Sequence, residues 1–161
     1  MTITIGDRLP NATVRLVTAD GAKPTTTEEY FKGRRIVLFG LPGAFTPTCH
    51  KNHLPGFLAE EAAFKAKGID AIAMTAVNDH YVLAAWAKAT GAEGHIDFLA
   101  DGAGDFAKAA GLSFDASPNG LGLRSRRYSA LIEDGVVKQL NIEEAPGKAD
   151  LSSAAHILGQ I

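Results

Sequence analysis

The chain of 161 residues holds one cysteine, Cys49, inside the segment GLPGAFTPTCHKNHLPGF from Gly40 to Phe57. A thiolate is both a nucleophile and a metal ligand, so the first question is whether this thiol is a reagent or core filling. Lone cysteines are usually buried and inert. The address of Cys49 argues against that. Thr46 is a favoured helix cap and Pro47 is tolerated at the first helical position, so Thr46-Pro47-Thr48-Cys49 reads as an opening helical turn with Cys49 third. There the unpaired amides and the positive end of the helix dipole favour thiolate over thiol. His50 and His53 flank the thiol and leave open a Cys-His pair for acyl transfer or a Cys49, His50, His53 metal site. Both are poorly supported, because no third group can be named to orient a histidine, and His80, His95 and His156 show no ligand spacing. A cysteine phosphatase would want an arginine closing a phosphate loop just after the cysteine, and CHKNHLPGF has none. No metal and no cofactor are expected.

The elements around this segment must hold it in place. RRIVLFGL is an unbroken apolar run and reads as a strand buried on both faces, delivering Cys49 to the carboxyl end of a sheet, the usual place for α/β active sites. NATVRLV alternates as a first strand, and TTTEEYFKG reads as a short helix capped by Thr27 and stopped at Gly33. A helix is expected over Phe57 to Lys67 with a stop at Gly68, and Pro55 ahead of it should kink the axis. IDAIAMTAV is a second buried strand. Asn78 and Asp79 offer caps for HYVLAAWAKAT, along which Tyr81, Ala84, Ala85 and Lys88 step down one face before Gly91. HIDFLAD and GDFAKAAG repeat the alternation of strand and helix. Asp134-Gly135 is the best hairpin signal, inside RYSALIEDGVVKQLNIEE, and DLSSAAHILGQI closes as a helix capped near Ser152. Strands alternating with helices, then a hairpin and a last helix, indicate the α/β class with a mixed sheet flanked by helices.

Length and composition agree with one domain over residues 1–161. The chain is 46% hydrophobic and 21% charged with net charge -2, which lacks the basic excess of a nucleic-acid surface. MTITIGDRLP has no basic region followed by an apolar run, and no long apolar stretch occurs, so neither export nor a membrane partner is expected. One cysteine cannot form an intrachain disulfide, and a lone thiol is best kept in a reducing compartment, which favours the cytoplasm.

PGAFTPTC fits the P-x-x-x-T-x-x-C pattern of peroxiredoxins, and with HLPGF it resembles their type-5 subfamily, called type II in plants. The resemblance extends through IGDRLP, VLFGLPGAFTPTC, AVNDHYVLAAW, LADGAGDFAKAAGL and RSRRYSALIEDGVVKQLNIEE, nearly the whole chain. It implies a thioredoxin-like fold and a thiol peroxidase acting on hydrogen peroxide and small organic hydroperoxides through a sulfenic acid on Cys49. It makes Cys49 the peroxidatic cysteine, with Pro42 shielding it, Thr46 offering its hydroxyl to the peroxide, and Arg127 of RRYS holding the thiolate and the peroxide oxygens. Gly43, Phe45 and His53 fall beside the substrate in the same motifs, Gly43 letting the backbone come close and His53 placed to bond near the arginine. Without the motif, Arg124, Arg126 and Arg127 would read as a solvated basic strand end. Some relatives carry a second, resolving cysteine where this chain has Ser152 and Ser153, and others where it has Met74. The expected partner is therefore an external thiol, glutathione with glutaredoxin first and thioredoxin second, and a homodimer is expected. The alternative from another class is a thioredoxin-like redox sensor or binding module, which would stall after one equivalent of peroxide where a peroxidase turns over.

Overall fold

The alternation in TVRLVT and the turn before Gly21 lay down a hairpin, β1 (Thr13–Thr18) and β2 (Gly21–Thr26), in a computed structural model that describes residues 1–161. Helix α1 (Thr27–Phe31) follows, capped one residue earlier than expected: the Thr26 hydroxyl accepts from Glu29 N at 3.2 Å. Thr27 is drawn inward instead, and its hydroxyl donates to Pro10 O at 2.7 Å. The run RIVLFG forms β3 (Arg35–Gly40). A helical stretch at Pro47 and Thr48 leads into a π-helical turn over Cys49–His53, then α2 (Leu54–Ala59) and α3 (Glu61–Ala66). The helix expected over Phe57 to Lys67 thus starts earlier and breaks at Glu60.

Next come β4 (Ala71–Ala76), α4 (His80–Thr90), β5 (Asp97–Ala100) and α5 (Asp105–Ala109). The short pair β6 (Ser113–Asp115) and β7 (Leu123–Ser125) makes a separate two-stranded sheet. The hairpin β8 (Tyr128–Glu133) and β9 (Val136–Ile142) turns at Asp134 and Gly135, both at positive φ as a tight primed turn requires. Helix α6 (Ala154–Leu158) ends the chain, capped by Ser153, whose hydroxyl accepts from His156 N; Ser152, the expected cap, is buried.

The main sheet runs β2-β1-β5-β4-β3-β8-β9. Strands β3, β4 and β5 are mutually parallel, and the remaining pairs are antiparallel, which gives the expected mixed sheet. Period-two alternation along β3 sends Val37 and Phe39 to one face and Ile36 and Leu38 to the other, all buried. The first face packs under Phe57, Phe64, Trp86 and Ile157; the second packs under Phe31 and Phe106. Each large side chain so buried contributes about 1.5–3 kcal/mol. On α4 the packed residues are Leu83, Trp86 and Ala87, while Tyr81 and Lys88 face solvent. β3 lies in the interior of the sheet, and its carboxyl end opens directly into the Cys49 segment.

Candidate active site

Gly40 ends β3 where the Tyr128 ring would collide with any Cβ, and the chain then turns through residues 41–45. Thr46 is the last residue before the helical stretch, and its carbonyl accepts from His50 N at 2.9 Å as a cap residue's should. Its hydroxyl does not cap; it donates to Gly43 O at 2.7 Å. Cys49 is the third helical residue and is fully buried. The turn it opens is π-helical, closed by Leu54 N donating to Cys49 O, and Pro55 sits in the first turn of α2. The axis change expected at Pro55 is therefore taken up by a widened turn just before it, a feature that recurs at functional sites.

Arg127, buried just before β8, gathers the other groups. Nη2 donates to Cys49 Sγ at 3.0 Å, Nη1 to His53 Nδ1 at 3.0 Å, and Nε and Nη2 to Pro146 O at 3.1 and 3.0 Å. A guanidinium can only donate, so His53 Nδ1 is an acceptor there. His53 Nε2, 2.9 Å from Ser152 O, carries the ring proton and donates it to that carbonyl. Geometry thus makes His53 neutral. Burial, reinforced by the Arg127 charge, pushes its pKa from 6.5 down to about 3, against the opposing pull of the Ser152 bond. Both ring nitrogens are occupied. The Pro146 and Ser152 carbonyls belong to the segment between β9 and α6, which Thr48 also holds through a hydroxyl bond to Gly147 O at 3.0 Å. Glu143, buried at the start of that segment, accepts from Ser152 N and Oγ at 2.9 and 3.2 Å.

In the loop ahead of Cys49, Pro42 is buried and its carbonyl accepts from Arg124 Nη1 at 3.2 Å. Arg124 is therefore not a solvated strand end: its Nε also donates to Leu121 O at 2.9 Å. The room left by the missing Cβ of Gly43 is taken by Arg124 Nη1, which would lie 2.5 Å from a Cβ there. Ala44 N donates to Asn78 Oδ1 at 2.9 Å, so Asn78 turns to this loop and leaves the cap of α4 to Asp79, which accepts from Val82 N at 2.8 Å. Phe45 has φ of 62°, is 52% exposed, and stacks on His50 at 5.7 Å. His50 Nδ1 accepts from Trp86 Nε1 at 2.9 Å, so the histidine beside Cys49 is engaged with α4. No cluster of three or more His, Cys, Asp or Glu side chains suits a metal.

The structure joins Cys49 and His53 through Arg127, lines Pro42, Gly43 and Thr46 along the loop that precedes Cys49, and leaves the Phe45 ring outside against His50. Sequence reasoning did not name Pro146, Ser152 or Glu143 as site groups. Two of them act through a backbone carbonyl, which no residue type signals; a glutamate in the polar NIEE run gives no hint of burial.

Residues 4–158 match the Redoxin family. The chain is 48% identical to peroxiredoxin-2E-2, chloroplastic, of Oryza sativa subsp. japonica over 98% of its own length and 72% of the relative's. It is 43% identical to peroxiredoxin-2C of the same plant, covering 97% of this chain and 96% of that one. Among solved structures, reduced Prx3 of Vibrio vulnificus in complex with H2O2 superposes with a TM-score of 0.92 at 45% identity, over 99% of this chain and 96% of that one. Fold, site and relatives agree: the chain belongs to the redoxin family, as a thioredoxin-like peroxiredoxin of the plant type II (type-5) group with one cysteine.

Proposed function

We propose that the chain reduces hydrogen peroxide and small organic hydroperoxides at Cys49 and is recycled by an external thiol. The observation that carries this reading is the guanidinium of Arg127 set 3.0 Å from the only sulfhydryl sulfur of the chain, at a helix start. A cationic donor at that distance holds the sulfur and faces the charge that the reaction develops. In the reaction the thiolate attacks one peroxide oxygen and forms an S–O bond. The O–O bond breaks, its electron pair leaves on the second oxygen, and that oxygen takes a proton to become water or an alcohol. Arg127, with its rigid fork, is the donor for the developing charge. Thr46 Oγ1 places its proton on Gly43 O, so its lone pairs are free to accept from the peroxide O–H. Pro42, buried in the loop ahead of Cys49, is assigned the shielding of the sulfur. His53 serves the substrate indirectly, as the acceptor that orients Arg127, and Gly43 and Phe45 shape the approach.

The sulfenic acid on Cys49 condenses with one thiol to a mixed disulfide and water, and a second thiol releases Cys49 as thiol with formation of the small disulfide. Glutathione with glutaredoxin comes first and thioredoxin second, because a buried Cys49 must open less for a tripeptide than for a protein. A homodimer is supported by large apolar side chains left exposed at Phe45, Tyr81 and Leu121. No helix is long and apolar enough to cross a membrane. We place the protein in the cytoplasm on the argument that a lone thiol needs reducing surroundings, a placement that cell fractionation tests.

The decisive assay follows peroxide consumption with glutathione, glutathione plus glutaredoxin, and thioredoxin plus its reductase, in wild type and in Cys49→Ser. Wild type should turn over many equivalents with at least one reductant, and the variant should fold and show none. Activity surviving in Cys49→Ser, or a wild type that stops after one equivalent, would refute the peroxidase reading.

A further inference from the structure

We propose that Arg124 is a positioning residue for peroxide reduction, clamping together with Asn78 the loop that carries Pro42, Gly43 and Thr46 against Cys49. The inference rests on the peroxidase reading above. Residues 41–46 form a short loop with a non-glycine residue, Phe45, at φ of 62°, a conformation that persists only where the surroundings hold it. The loop is bonded at its start by Leu41 N to Thr75 O, and internally by Thr46 to Gly43 O. Between those points two side chains reach it from outside: Arg124 donates to Pro42 O, and Asn78 accepts from Ala44 N. Arg124 is itself braced, since its Nε donates to Leu121 O while Nη1 reaches Pro42 O. One rigid fork thus spans two carbonyls on separate segments. A lysine ammonium at the end of a flexible stem cannot reproduce that span.

The guanidinium also fills the space over Gly43, where a Cβ would lie 2.5 Å from Nη1. The obstacle is the far end of a long side chain, so Gly43→Ala displaces Arg124 without threatening the fold. The loop sets where Thr46 Oγ1 points, through its bond to Gly43 O. A shift of about 1 Å in such a group costs up to roughly a hundredfold in rate. Arg124 shares no partner with Arg127, so the thiolate itself should be untouched.

The test is rapid mixing of pre-reduced protein with hydrogen peroxide, beside alkylation of Cys49 by iodoacetamide, in which the sulfur displaces iodide from carbon without needing Thr46. Arg124→Lys and Arg124→Ala should slow oxidation by about ten- to a hundredfold while alkylation is no slower. Gly43→Ala should act in the same direction, because its methyl displaces the same guanidinium. Wild type that reacts quickly beside an equally quick Arg124→Ala overturns this inference and leaves the peroxidase reading standing. Oxidation and alkylation slowed by the same factor overturns it too, as general damage. Wild type inert to peroxide overturns both.

Discussion

Arg127 Nη1, Nη2 and Nε between them bind a sulfur, an imidazole and a backbone carbonyl, so one side chain serves both chemistry and attachment of the segment before α6. Arg127→Lys keeps a charge and loses the fork. The peroxide step should fall by about a hundredfold or more. Stability should also fall, by about 1–3 kcal/mol, because buried acceptors at Pro146 or His53 are left unpaired. Stopped-flow oxidation and urea midpoints read the two effects separately; an intact rate with lost stability would make Arg127 purely structural. His53 gives a pH prediction with a definite sign. Folded His53 titrates near 3 and unfolded histidine near 6.5, so only the unfolded chain gains a proton between these values. The stability it supports is complete above about pH 6.5 and erodes as pH falls toward 3, with a slope of up to about 1.4 kcal/mol per pH unit. Urea midpoints of wild type should drop across this window more steeply than those of His53→Gln, and parallel curves would remove His53 as the cause. Cys49 stood out by residue type and position behind the cap residue Thr46, whereas Pro42 and Arg127 were singled out only by the resemblance of PGAFTPTC and RRYS to peroxiredoxin motifs. Arg124 could not be named, since an arginine on a short strand looks the same whether it faces water or a carbonyl.

The widened turn over Cys49–His53 belongs to the helix rather than to any one side chain. Pro55 has no N–H to offer a carbonyl four residues back, so the ordinary α register gains nothing there, and the bond from Leu54 N to Cys49 O prevails. Pro55→Ala restores that donor and lets the tighter register compete, which would rotate Cys49 and His53 away from Arg127. The variant should match or exceed wild type in thermal midpoint while reacting more slowly with peroxide. An unchanged rate would show that packing rather than Pro55 imposes the turn. The presence of Pro55 was legible; the form of the break was not, because a proline removes one donor without specifying which neighbouring bond takes over. Strands β3 and β4 and the hairpin at Asp134-Gly135 were legible because burial on both faces, or a turn dipeptide, leaves a strong pattern. Strand β2, with sequence GAKPTT, left none: it lies at the sheet edge, pairs on one side only, and stays largely exposed. The pair β6 and β7, three residues each, is too short to show any period.

The chain as a body has one thiol and no second sulfhydryl to answer it. The positions where some relatives keep a resolving cysteine hold Met74, buried on β4, Ser152, bonded to Glu143, and Ser153, which caps α6. One equivalent of peroxide should therefore give sulfenic acid on Cys49, excess should drive it to sulfinic acid, and glutathione added at the first stage should give a mixed disulfide. Intact mass separates these products. A dominant Cys49-to-Cys49 dimer would contradict the external-thiol reading. We further propose that residues 1–161 unfold as one domain. Ile3 N bonds Ala110 O, and Lys67 Nζ bonds Ile161 O, so both ends of the chain are tied into its body. Denaturation followed by circular dichroism and by fluorescence should give coincident transitions, and separated midpoints would refute the proposal.

The hydrogen bond from Trp86 to His50 gives the protein a built-in optical probe. Trp86 is the only tryptophan of the chain, and its indole N–H is bonded to the ring of the residue that follows Cys49. An oxygen or a glutathionyl group added to the buried sulfur must displace neighbours, and His50, the next residue, should shift with it. The emission colour and intensity of a single indole should then change with the oxidation state of Cys49, so each half of the catalytic cycle can be timed by light alone, without a label.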